Sequence, residues 1–188
     1  MSGKQKLAKD LEILEAMAAG MNNYLLSKTI FQTLQLDMPQ LTLGGYLMRQ
    51  HRLQALAGEL LNEVEQGRLE KAVDQFKQSL MGKQAQFEQK VEREIGSRLR
   101  QWAEYLREVE GDPAENAPYY TSRVEVRAMV AALIEALPAP AAAPTDALDQ
   151  LDDKLSQLWQ QGHFVWPTEW QPAYPKDLFW WLYGNPRF

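Results

Sequence analysis

The chain contains no cysteine and only two histidines among its 188 residues. Without cysteine there are no disulfides, no iron–sulfur clusters, no thiol catalysis and no cysteine-ligated zinc. Histidine chemistry is equally thin. Three residues before His51 stands Met48, and three before His163 stands Gln160. Neither makes the Glu-x-x-His pair of a di-iron bundle, and no zincin motif is present. The expectation is therefore no metal and no cofactor.

Other catalytic signatures are missing as well. No serine sits in Gly-x-Ser-x-Gly. Gly82-Lys83-Gln84 lacks the rest of a phosphate loop, and Gly44-Gly45 has no strand before it. The adjacent carboxylates Glu92/Glu94 and Asp152/Asp153 are one or two positions apart. On a helix they point in different directions, so they read as solvated faces, not as an acid–base pair.

Charge of one sign and long apolar runs are also lacking. The formal charge is −5. Residues 67–110 carry nine Lys/Arg against eight Asp/Glu. No segment supplies the basic face of a nucleic-acid binder. The longest nearly apolar run, Ala128 to Leu137, contains Glu135 and is too short to span a bilayer. Lys4, Lys6 and Lys9 are followed by Asp10, Glu12 and Glu15, not by the apolar core of a signal peptide. The expected location is cytoplasmic.

Proline is nearly absent from the first 112 residues, which hold Pro39 alone and a single tryptophan, Trp102. Nine of the ten prolines and five of the six tryptophans follow Asp112. Proline ends or kinks helices, so the front predicts long helices and the back a folded-over, aromatic cap. Hydrophobic residues make up 45% of the chain and charged residues 24%, which suits a soluble globular protein.

Leu7, Leu11, Leu14, Ala18, Met21 and Leu25 predict a helix within residues 4–35, pausing near Gly20 and resuming through Ile30, Phe31 and Leu34. Asp37 and Pro39 predict the start of a second helix. Its seam is Leu47, Leu53, Leu56, Leu60 and Val64, and it stops at Gly67. Residues 68–110 carry Leu69, Val73, Phe76 and Leu80. After a gap at Gly82-Lys83-Gln84 come Phe87, Val91, Ile95, Leu99, Trp102, Leu106 and Val109. This stretch reads either as one long rod or as two helices broken at the gap.

Ser122 and Glu125 match a capping box opening a helix over Val126, Val130, Leu133 and Leu137. Leu137–Pro144 reads as an extended connector. Thr145 is the expected cap of a helix bearing Leu148, Leu151, Leu155 and Leu158, closed by Gly162. Pro175 is expected to start a short helix over Leu178–Leu182.

The fold expected is all-α: an elongated helical bundle with a long antiparallel helical hairpin (38–110) and an irregular aromatic-rich C-terminal tail. One domain is expected over residues 1–188, with a sub-boundary at 137–145. That boundary would separate a long-helix bundle (1–136) from a helix plus Trp-rich cap (146–188). Ten of the nineteen aromatics lie between Trp159 and Phe188. Within them Trp166, Trp170, Tyr174, Trp180, Trp181 and Tyr183 form the candidate partner or ligand surface. The competing reading makes these rings a core that pins an irregular tail.

The function expected is a non-enzymatic interaction or scaffold protein that binds a protein partner or itself through helical faces. One alternative is a small-molecule or peptide module built on the aromatic cluster. The other is an enzyme using carboxylates from different helices to hold metal.

Overall fold

The computed structural model describes residues 1–35, 37–138 and 142–187, without the side chains of Ala142 and Ala143. The protein is all-α with one small two-stranded sheet. The α-helices are α1 (Gly3–Leu26), α2 (Leu43–Leu60), α3 (Glu63–Leu80), α4 (Gln84–Gly111), the single-turn α5 (Pro113–Asn116), α6 (Tyr120–Glu135) and α7 (Ala142–Leu158). Strands β1 (Trp159–Gln161) and β2 (Gly184–Pro186) pair antiparallel, and 3₁₀ turns fill much of the tail between them. Two compact units result, Met1–Glu94 and Ile95–Phe188, with their border inside α4.

In the first unit, α1 packs on α2 and α3, which form an antiparallel hairpin. The expected α1 seam is the core: Leu7, Leu11, Leu14, Ala18, Met21 and Leu25 are all buried. The helix does not pause at Gly20. A side chain there would crowd Leu41 Cδ2, 3.3 Å from an ideal Cβ, so glycine leaves room for the returning chain to lie on α1. The helix does end at Leu26. Ile30, Phe31 and Leu34 belong to an irregular return, held by a bridge between Gln32 and Leu41 and by Tyr24 Oη donating to the Ile30 carbonyl.

That extended bridge delays α2. Its cap is Thr42, whose hydroxyl accepts from the Gly45 amide, and Asp37 lies in the loop before it. At the far end the expected stop at Gly67 is wrong. The turn comes earlier, at Leu61-Asn62. Asn62 and Glu65 form a capping box that starts α3, and Gly67 is an exposed mid-helix residue. Val64, expected on the seam, is 74% exposed in the first turn of α3.

The rod over 68–110 is broken. Leu80 and Gln84 flank Met81-Gly82-Lys83, and Gly82 has φ +73°, a left-handed conformation that an L side chain strains to adopt. What remains is α4, whose 28 residues run about 42 Å at 1.5 Å per residue.

In the second unit, Ser122 is not a cap. It lies inside α6 and donates to the Tyr119 carbonyl. Thr145 likewise lies inside α7, which begins at Ala142. Of the expected connector, Ala139, Pro140 and Ala141 lie outside the described residues, while Ala142–Pro144 are helical. The α7 helix stops at Leu158, before Gly162, because Trp159–Gln161 leave it to pair with β2. That pairing needs a glycine at 184. A Cβ there would lie 2.2 Å from the Gln160 carbonyl oxygen and 2.7 Å from the Trp159 ring. The expected helix after Pro175 is instead a turn followed by a 3₁₀ turn at Trp180–Leu182. No helix among the described residues is long and apolar enough to cross a membrane.

Candidate functional site

Each unit holds an unusual interior and an apolar-floored groove.

The interior of the first unit is ionic. Asp10 stands on the buried face of α1 between Leu7 and Leu11. Both of its oxygens are taken. Arg49 Nε donates to Oδ1 at 3.0 Å, and the Arg52 guanidinium donates to Oδ2 at 2.6 Å. Arg49 also donates to the Gly45 carbonyl at 2.9 Å. The three side chains are nearly sealed from solvent. Two arginines one turn apart on α2 thus clamp one carboxylate of α1.

A second set of charges sits at helix ends. Glu94, fully buried, accepts from the Gly44 amide in the first turn of α2 at 3.1 Å. Lys90 and Arg93, on the same stretch of α4, reach the other pole. Lys90 Nζ donates to the Thr29 carbonyl at 2.6 Å and lies 4.3 Å from the Tyr24 ring centre, just past the end of α1. Arg93 donates to the Lys28 carbonyl at 3.1 Å. An anion at a helix N-terminus and cations beyond a C-terminus are the favourable pairing with the helix dipole. Burial pushes the Lys90 ammonium below its ordinary pKa, with neighbouring Arg93 adding to the effect.

The sequence carried a signal for Asp10 that the seam reading passed over. It occupies an i+3 position on an otherwise leucine face, where a lone carboxylate needs a partner. The partners, 39 and 42 residues away, could not be read from spacing.

The interior of the second unit is aromatic. Trp102, Trp181, Tyr120 and Tyr174 are nearly inaccessible. Of the sequence-predicted surface residues, Trp166, Trp170, Tyr174 and Trp181 are buried, while Trp180 and Tyr183 are half-buried. The structure brings Trp166, Trp170 and Tyr174 together. Trp166 stands edge-on to Trp170 and to Tyr174, with ring centres 6.3 and 5.0 Å apart. Trp180 stands apart from them, edge-on to Trp159. Trp181 packs on Phe179 and lies under the Arg127 guanidinium, 4.8 Å from it. Arg127 in turn grips Asp152 with two hydrogen bonds, at 2.9 and 2.7 Å. Phe188 lies outside the described residues.

These rings do more than fill space. Tyr120 Oη donates to the Trp181 carbonyl, Trp166 Nε1 to Thr121 and Tyr183 Oη to Tyr174. An irregular tail has few ladder bonds for its carbonyls; tyrosines supply donors to two of them, and Trp166 fastens the tail to α6. Burial raises the Tyr105, Tyr120 and Tyr183 phenols above their ordinary pKa.

Among the grooves on the described surface, two have apolar floors. One, about 430 Å³, lies between α2 and α3. Ala57, Leu69 and Val73 floor it, and Gln54, Gln66, Glu70, Asp74 and Lys77 rim it. The other, about 420 Å³, lies between the second half of α4 and α7 and is lined by Arg100, Ala103, Glu104, Arg107, Leu151 and Lys154. Neither brings a nucleophile against a base. Among the described residues no group of three or more His, Asp or Glu is placed to hold a metal ion. No protein-family model, curated protein or solved structure matches this chain.

Proposed function

We propose that this chain is a non-enzymatic interaction protein that binds a protein partner through its outward-facing helical grooves. The observation that carries this reading is the pair of apolar-floored, charge-rimmed troughs between adjacent helices, at α2/α3 and α4/α7. A trough between two packed helices accepts a third helical ridge, which is the geometry of helix-in-groove recognition. The buried charges support the same reading from another side. Both Asp10 oxygens are engaged by arginines and Glu94 is committed to a helix end, so these groups stiffen the first unit, which presents the α2/α3 trough.

The test is hydrogen exchange on the full chain, alone and with any protein that co-purifies with it and rebinds as a purified component. Slowed exchange along α2/α3 or α4/α7 on rebinding is the expected result. A chain with no rebinding protein, or protection confined to other surfaces, overturns the proposal.

A further inference from the structure

Resting on that reading, we infer that the α4/α7 groove receives an acidic amphipathic helix of a partner protein. The chain is acidic overall, at −5, yet this groove is lined by three cations and one carboxylate. Arg100 is solvent-exposed and makes no hydrogen bond or ion pair with a described residue. Among the described residues Arg107 pairs only with its own-helix neighbour Glu104, at 3.4 Å, in a pair largely open to water. Such exposed pairs contribute little and re-partner readily. Lys154, across the groove on α7, contacts Glu110 at 2.6 Å.

Arg100 and Arg107 are two turns apart on one face of α4, about 10.5 Å along its axis. A helix lying in the groove presents carboxylates at i and i+7 with the same separation. Between the two arginines the floor is Ala103 and, from α7, Leu151. Apolar side chains of the occupant at i+3 and i+4 meet that floor.

The floor also argues against nucleic acid. Nucleic acids are held through phosphates and by stacking on aromatic rings, and no ring lines this groove.

The test uses the full chain and a fluorescein-labelled helical peptide with Glu at i and i+7 and Leu at i+3 and i+4. Fluorescence anisotropy is measured at low and high salt. Saturable binding is expected, weakened roughly tenfold or more by Arg100→Glu with Arg107→Glu, and weakened by salt. Both arginines are exposed, so the double variant should keep its helix content. If it does not, Arg100→Gln with Leu151→Ser replaces it and is expected to weaken binding in the same direction.

The inference falls if the acidic peptide does not saturate, if a peptide with Lys in place of Glu binds equally, or if the arginine variants bind unchanged. It also falls if a single-stranded oligonucleotide binds tighter than the peptide. Failure here combined with partner protection along α2/α3 sinks only the acidic-helix assignment. Absence of protection on both grooves sinks the protein-binding reading itself.

Discussion

The two units solve the same problem with opposite materials. The first buries leucines and methionines and admits Asp10, Arg49, Arg52, Lys90 and Glu94 to its interior. The second buries Trp102, Trp166, Trp170, Trp181, Tyr105, Tyr120 and Tyr174 and, among the described residues, admits a single buried charge, Arg127. The difference follows the backbone. In the first unit most carbonyls and amides are satisfied within long helices, so polar side chains are needed only at helix ends and between helices. In the second, residues 162–183 contain no α-helix. In this stretch the Trp181 and Tyr174 carbonyls take hydrogen bonds from tyrosines, and the Trp166 indole ties it to the Thr121 carbonyl of α6; such side chains bury large area while carrying one polar group. The less regular the backbone, the more a side chain must both pack and donate.

Base sets the two interiors against each other most severely. The phenols of Tyr105, Tyr120 and Tyr183 in the second unit and Tyr46 in the first are raised above the ordinary value of 10 by burial. Above pH 10 the unfolded chain releases phenolic protons that the fold retains, so stability falls as pH rises. Lys90 has the opposite sign. Its folded pKa lies below 10.5, so between that value and 10.5 the unfolded chain holds the extra proton and stability rises with pH. The second unit should therefore unfold at the lower alkaline pH. All six tryptophans lie in it, so their fluorescence should change before the far-ultraviolet helix signal is lost. Simultaneous loss would show that the two units unfold as one.

Next in size is Asp10→Ala. Removing it strands Arg49 and Arg52 in the interior of the first unit, at a cost of about 3–5 kcal/mol. Urea unfolding followed by circular dichroism checks this. A loss well below that range would mean that the arginines find water or another partner. If the tryptophan transition stays where it was, the damage is confined to the first unit.

The same one-atom deletion should then have opposite signs in the two interiors. Tyr120→Phe leaves the Trp181 carbonyl without its tyrosine donor and is expected to cost about 1–3 kcal/mol. Tyr46→Phe removes a buried hydroxyl that has no hydrogen-bond partner among the described residues, while the ring still stacks on Phe76. It is expected to be neutral or to stabilise by about 1 kcal/mol. Matched chemical-denaturation curves decide the pair, and equal losses would erase the proposed contrast.

The smallest effect is local. Asn62→Ala removes the cap of α3 and should cost about 1 kcal/mol, seen as a lower thermal midpoint. An unchanged midpoint would mean that the Asn62 cap contributes nothing to the stability of α3.

Much of the fold was legible because its signals are local. The stripe from Leu7 to Leu25 and the run from Phe87 to Val109 repeat at helical spacing, and the absence of proline lets them extend. The misplaced ends came from reading single residues as punctuation. Gly67 and Gly20 looked like breaks, yet the packing of Leu69, Val73 and Phe76 on one side and of Leu41 over α1 on the other outweighs about 1 kcal/mol of glycine penalty. Ser122 looked like a cap, but α6 had already begun at Tyr120. The aromatic cluster was visible as composition. Which of its rings are covered was not, because that depends on where the tail crosses α6 and α7.

By itself the sequence determined the fold class and the main helical seams, since periodicity and proline act on neighbouring residues, while it left the choice between a rod and a break at Gly82 to the structure. Tertiary structure decided which polar groups go inside. Asp10 meets Arg49 and Arg52, and Arg127 meets both Asp152 and Trp181, only after the chain has folded back on itself. A buried charge is tolerable only beside its partner, and nothing in a linear order of residues records that distance.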